Sequence, residues 1–195
     1  MTDIEYKSKF YTKYPFTMSK IFKSLVTISA LSAVFVAPFL LSAQEAFAGP
    51  KKGTNASYVG VGVSAGTTNG GQKGTSATFG GNVTGRLNIN GTPLSARTQI
   101  LFSDDTTAIV PQVSLDAGIA KNTNAYVGVG YSFVEKNGQP TPLGNKDSVA
   151  VTAGVESEFA KNLMVYGSTT LAPDGFKDTS ASPVNISGGI GYRFK

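Results

Sequence analysis

From Val184 to Phe194 the side chains alternate without a break. Val184, Ile186, Gly188, Ile190, Tyr192 and Phe194 fall on one side, and Asn185, Ser187, Gly189, Gly191 and Arg193 on the other. Successive residues of a strand point to opposite faces, so one face is apolar and the other small and polar. An apolar outside with a polar inside is the pattern of a transmembrane β-barrel strand.

Seven earlier segments repeat this pattern, and nothing after Gly49 shows a convincing helical period. The first strand is expected over 57–66, with Val59, Val61, Val63 and Ala65 opposite Tyr58, Gly60, Gly62 and Ser64. The others are expected at about 75–89, 94–103, 108–119, 125–134, 148–159 and 163–172, the last being the least regular. Leu101 breaks the pattern by falling on a polar face. Pro111 has no N–H to donate and is therefore expected at a strand end or a bulge.

The connections alternate in length. Segments 67–74, 135–147 and 173–183 are long and 104–107 is intermediate, whereas Asn90-Gly91-Thr92-Pro93, 121–124 and 160–162 are tight. Asn-Gly is a hairpin signal. Long loops at one end and short turns at the other characterise outer-membrane barrels, whose strand number is even. The expected fold class is all-β: an eight-stranded antiparallel up-and-down transmembrane β-barrel preceded by a cleavable signal peptide. Both barrel termini then lie at the short-turn, periplasmic end. Tyr58-Val-Gly-Val-Gly62 recurs as Tyr126-Val-Gly-Val-Gly130 four strands later. Convergence of similar barrel strands explains this more economically than duplication.

The leader has its own logic. Met18-Ser-Lys-Ile-Phe-Lys23 is basic, residues 24–41 are mostly apolar, and Ala46-Phe-Ala48 is a small-residue box. That order is a secretory signal peptide, with cleavage expected after Ala48. A membrane-anchoring helix is the alternative. Translation is expected to start at Met18. The domains are therefore 1–48, extension and signal peptide; 49–56, a short unstructured periplasmic lead; and 57–195, the barrel.

Composition removes several classes of function. The chain has no Cys and no His, which excludes disulfides, Ser-His and Cys-His catalysis, and the commonest metal ligand. The formal charge of +5 over 195 residues is small, scattered and partly in the leader, so no nucleic-acid partner is expected.

The signal peptide, the eight alternating strands and the terminal Gly189-Ile-Gly-Tyr-Arg-Phe194 resemble the small outer-membrane β-barrels of the opacity-protein and outer-membrane protein A/X types, porin-family barrels in the broad sense. The resemblance covers residues 56–195. It implies outer-membrane lipid as surroundings and the barrel-assembly machinery as partner. Tyr192 and Phe194 stand where that family carries its assembly signal, although here Lys195 follows Phe194. A bacterial-type outer-membrane location and a monomer are expected, with extracellular loop partners unidentified.

Six charges fall on inward faces: Arg86, Arg97, Asp116, Glu156, Glu158 and Arg193. A charge facing lipid near the midplane costs about 2–4 kcal/mol for Arg or Lys, and a buried charge needs a partner. An interior ion-pair network that fills the lumen is therefore expected, since eight strands leave room only for side chains. Glu156 and Glu158 share a face as a catalytic carboxylate pair would, but no second motif supports chemistry. Gly60-Val-Gly-Val-Ser-Ala65 matches a relaxed dinucleotide fingerprint without the following helix or acid that it needs. Asp104-Asp105 reads as a loop tip, with weak divalent binding as the alternative. No catalytic residue, cofactor or metal site is assigned. Tyr58, Phe102, Tyr126, Tyr131, Phe133, Phe159, Tyr166, Tyr192 and Phe194 are candidates for interfacial girdles.

The function expected is a non-enzymatic, integral outer-membrane barrel with a structural or surface-exposed envelope role. A narrow porin-like channel is the first alternative, and a soluble periplasmic ligand-binding barrel the second. The second needs an apolar inside, the reverse of the pattern read here.

Overall fold

The structure, a computed structural model, describes residues 52–71, 75, 77–104 and 106–194. The expected signal peptide, Lys195 and Asp105 lie outside the described residues. Eight strands follow in order: β1 (Tyr58–Gly66), β2 (Phe79–Asn88), β3 (Leu94–Phe102), β4 (Thr107–Ala120), β5 (Thr123–Val134), β6 (Ser148–Ala160), β7 (Leu163–Leu171) and β8 (Val184–Arg193). Each pairs antiparallel with its sequence neighbours, and β1 pairs with β8 from Tyr58↔Arg193 to Gly66↔Asn185, closing the barrel.

Period-two patterning explains the two faces. Val61, Val129, Ile186 and Ile190 point out and are exposed, while Ser64, Thr84, Gln99, Thr152, Thr170 and Ser187 point in and are buried. β7, the least regular segment by sequence, alternates cleanly, with Met164, Tyr166, Ser168 and Thr170 inside. Its outer Gly167 and Thr169 and inner Met164 blur hydrophobicity without changing parity.

Asn122 and Asn162, at φ 60° and 63°, turn β4 into β5 and β6 into β7. Asn tolerates this left-handed conformation better than most residues. Register shifts between Gly118 and Ala120 and between Glu158 and Ala160 lie beside these two turns.

Pro111 departs from expectation. It lies inside β4, opposite Thr98 of β3, and forms neither an end nor a bulge. The β4–β5 ladder skips Val110 and Pro111 and resumes in the same register at Gln112↔Gly130. A missing donor is tolerated here by a local gap in one ladder.

The described part of the lead, from Lys52 on, is also not unstructured. Gly53 bridges Lys121, and Thr54, Ala56 and Ser57 are buried. At the opposite end, 135–147 folds over the lumen. Leu143 is wholly buried with Leu101, Ala108, Val110, Val134, Ala150 and Ala172. This accounts for Leu101: its inward position meets an apolar loop plug rather than polar side chains. The 172–183 loop braces that plug, with Asn145 and Lys146 donating backbone N–H groups to Gly175 O at 2.9 and 3.1 Å.

Candidate functional site

Inside the barrel, cross-strand register sets Arg86 of β2 directly beside Arg97 of β3. Two like charges at that spacing repel. Asp116 from β4 and Glu156 from β6 meet both of them. Arg86 Nη2 lies 2.8 Å from Asp116 Oδ2 and Arg86 Nη1 2.9 Å from Glu156 Oε1. Arg97 Nη2 lies 2.9 Å from Asp116 Oδ1 and Arg97 Nη1 2.8 Å from Glu156 Oε2. Every guanidinium touches both carboxylates, so the four groups close a ring with no net charge.

Neighbours satisfy the remaining valences. Ser114 Oγ accepts from Arg97 Nε at 2.7 Å and donates to Asp116 at 2.8 Å. Ser95 Oγ accepts from Arg86 Nε and also bonds Asp116 Oδ2. Tyr58 Oη donates to Glu156 Oε2 at 2.9 Å, and Asn124 Nδ2 to Glu156 Oε1 at 3.2 Å. The Arg97 guanidinium stacks on the Tyr126 ring, 3.6 Å from its centroid, which shields it with a π face.

The six sequence-selected charges thus divide. Arg86, Arg97, Asp116 and Glu156 form the ring. Arg193 pairs with Glu158 outside the ring, nearer the turn end, with side chains 33% and 15% exposed. Glu156 and Glu158 share a face, as their spacing requires, yet Glu156 bridges Arg86 and Arg97 while Glu158 meets Arg193. Asp104 is exposed in the short β3–β4 connection. Among the described residues no group of three or more acids is placed to hold a metal. The Gly60–Ala65 string lies wholly within β1, which rules out the strand–turn–helix of a nucleotide site.

Three girdle candidates belong to the lumen instead. Tyr58, Tyr126 and Tyr166 are buried inward, and parity of Tyr58 and Tyr126 with Gly60 and Gly128 is the signal that says so. They lie over inward glycines. A Cβ on Gly60 would fall 2.7 Å from Tyr166 Cε1, and one on Gly191 2.8 Å from Tyr58 Cδ2. Tyr166 Oη donates to Asn82 Oδ1, and Gln99 Nε2 to Ser168 Oγ at 3.0 Å. Phe102, Tyr131, Phe133, Phe159, Tyr192 and Phe194 do face outward.

The sequence profile described as "Outer membrane protein beta-barrel domain" matches residues 33–194. The chain belongs to that family. Solved structures similar to this outer-membrane β-barrel include Ail, the attachment invasion locus protein of Yersinia pestis (18% identity over 72% of this chain and 99% of that one, TM-score 0.47). Neisserial surface protein A shows 12% identity over 71% of this chain and 97% of its own, TM-score 0.48. The N-terminal barrel domain of Pseudomonas aeruginosa OprF shows 13% identity over 73% and 100%, TM-score 0.46. No curated protein matches the chain.

Proposed function

We propose that this outer-membrane β-barrel is a non-enzymatic envelope protein with a closed lumen. It stands as a monomer in outer-membrane lipid and presents its long loops outside the cell. One observation carries the reading: the lumen is occupied in three successive layers. Leu143 and its apolar neighbours fill the loop end. Hydrogen-bonded Asn82, Gln99, Thr152, Thr170 and Ser187 fill the middle. The four-charge ring and the lead fill the turn end. Eight strands leave little more than this space. A ligand-binding barrel of the soluble kind needs an apolar cavity, and the interior is polar over most of its length.

Planar-bilayer recording tests the proposal. A closed lumen gives no sustained conductance on insertion of the purified barrel. Stable single-channel steps would replace the envelope reading with the narrow-channel one. Export by a cleaved signal peptide is part of the same proposal, and so is delivery to the barrel-assembly machinery through the strand ending in Tyr192 and Phe194. An N-terminal sequence of the mature protein beginning at Gly49 would support the first. Phe194→Ala should lower the folded fraction in cells while leaving refolding in vitro unchanged. Equal losses in both settings would remove the signal role.

A further inference from the structure

The chain enters β1 only after crossing the mouth of the barrel. β5 lies four strands from β1, on the opposite wall, yet Thr54, four residues before β1, bonds to it. Gly53 N donates to Ala120 O at 2.8 Å, at the β4–β5 turn. The Asn124 side chain of β5 accepts from Thr54 N at 3.0 Å and donates to Thr54 O at 2.7 Å. One amide thereby reads both backbone groups of Thr54, as a neighbouring strand would. Arg86 Nη1 donates to Thr54 O and Ala56 O at 3.2 and 3.0 Å. Ser57 Oγ accepts from Asn88 N at 3.1 Å.

Two properties make this crossing segment separable from the barrel wall. Its one buried apolar side chain is Ala56, clustered with Tyr58, Met164 and Tyr166, so little apolar surface is lost when it leaves. Its two charged or amide latches also keep partners without it: Arg86 retains Asp116 and Glu156, and Asn124 Nδ2 retains Glu156. Beside it lies a cavity of about 350 Å³, lined by Lys52, Thr54, Asn55, Arg86, Asp116 and Asn124 among others. Thr54 and Arg86 border this cavity, so once the segment leaves, water from it can replace the lost bonds, and water-mediated bonds substitute for direct ones at small cost.

We propose that Gly53–Ala56 is a displaceable seal on the turn end of the lumen, latched by Asn124 and Arg86, with Ser57 remaining in the wall through Phe194 N and Asn88 N. Its release widens the cavity into a polar vestibule over the charge ring without opening a pore. The seal rests on the closed-lumen reading only in that the loop end stays shut.

The absence of cysteine supplies the test. Ala56→Cys places a thiol at a wholly buried position, and Asn55→Cys one at an exposed neighbour. Both react with a polar maleimide in detergent-solubilised full-length protein. A seal released in at most about a tenth of molecules slows labelling of Ala56→Cys at least about tenfold relative to Asn55→Cys. Two second-site variants release it by different routes. Asn124→Ala removes the latch. Gly118→Ala sets a Cβ 2.6 Å from the Lys52 carbonyl carbon and 2.9 Å from Gly53 N, pushing the segment out sterically. Each should bring the two labelling rates together while a heat-modifiable gel shift reports a folded barrel. Equal rates in the parent overturn the seal. So does continued protection in whichever variants fold, and so does failure of both to fold, which would make the segment integral. Conductance of the parent is read separately, so a conducting barrel refutes the closed lumen while labelling still decides the seal.

Discussion

Glu156 neutralises two guanidiniums at once, and this sets what its loss costs. In Glu156→Gln, Arg86 and Arg97 share Asp116 alone and a positive charge is left buried. Breaking a buried pair from one side costs about 3–5 kcal/mol, read as a lower urea midpoint for the barrel in lipid vesicles. Glu158→Gln is the matched control, since its partner Arg193 is one-third exposed and such pairs are worth about 0–1 kcal/mol. Equal losses for the two variants would refute the buried ring as the stronger element. Strand parity alone placed all six charges inside. It could not pair them, because partners across a lumen depend on how far each strand is staggered against the next. Glu156 and Glu158 are two residues apart and chemically alike, yet height along the barrel gives them different partners.

At the scale of elements, the closing pair β1–β8 is built for close approach. Gly62 faces Gly189 and Gly60 faces Gly191. A Cβ at Gly62 would overlap the Gly188 carbonyl of the partner strand, whereas one at outward Gly167 would find Ser187 O at 3.9 Å. Gly62→Ala should therefore cost about 1–3 kcal/mol by overpacking and lower the folded fraction on refolding into vesicles. Gly167→Ala should refold as the parent does, and comparable losses would mean that glycine lowers stability through chain flexibility rather than space. Strand positions were legible because each strand repeats one period. Three other elements were not. Pro111 was misjudged because a strand can spare one donor when only one of its two ladders is interrupted. The lead has no period at all: a short crossing held by Asn124 and Arg86 leaves no pattern in sequence. Leu101 looked anomalous until its partner Leu143, distant in sequence and in a loop, was placed beside it.

For the whole molecule, the decisive contrast is between the two sides of the wall. The interior carries the ring, Tyr58, Tyr126, Tyr166 and the hydroxyls, while large aliphatic and aromatic residues stand exposed around the exterior. In water such a surface would aggregate; in hydrocarbon it is the stable arrangement, because a closed barrel leaves no unpaired strand edge. Depth then decides the effect of one charge. Val129 lies mid-strand in β5 and is 58% exposed on the outer face. Val129→Arg should destabilise the barrel in vesicles by about 2–4 kcal/mol, and Leu163→Arg, beside the β6–β7 turn, by only about 0–1 kcal/mol. Urea unfolding in vesicles measures both. A barrel whose outer wall faced water would show neither penalty, so equal and negligible effects would overturn the membrane placement. The expected asymmetry would place mid-wall at the bilayer centre and the turn end at its edge, which is where the Gly53–Ala56 crossing and the Arg193–Glu158 pair meet water.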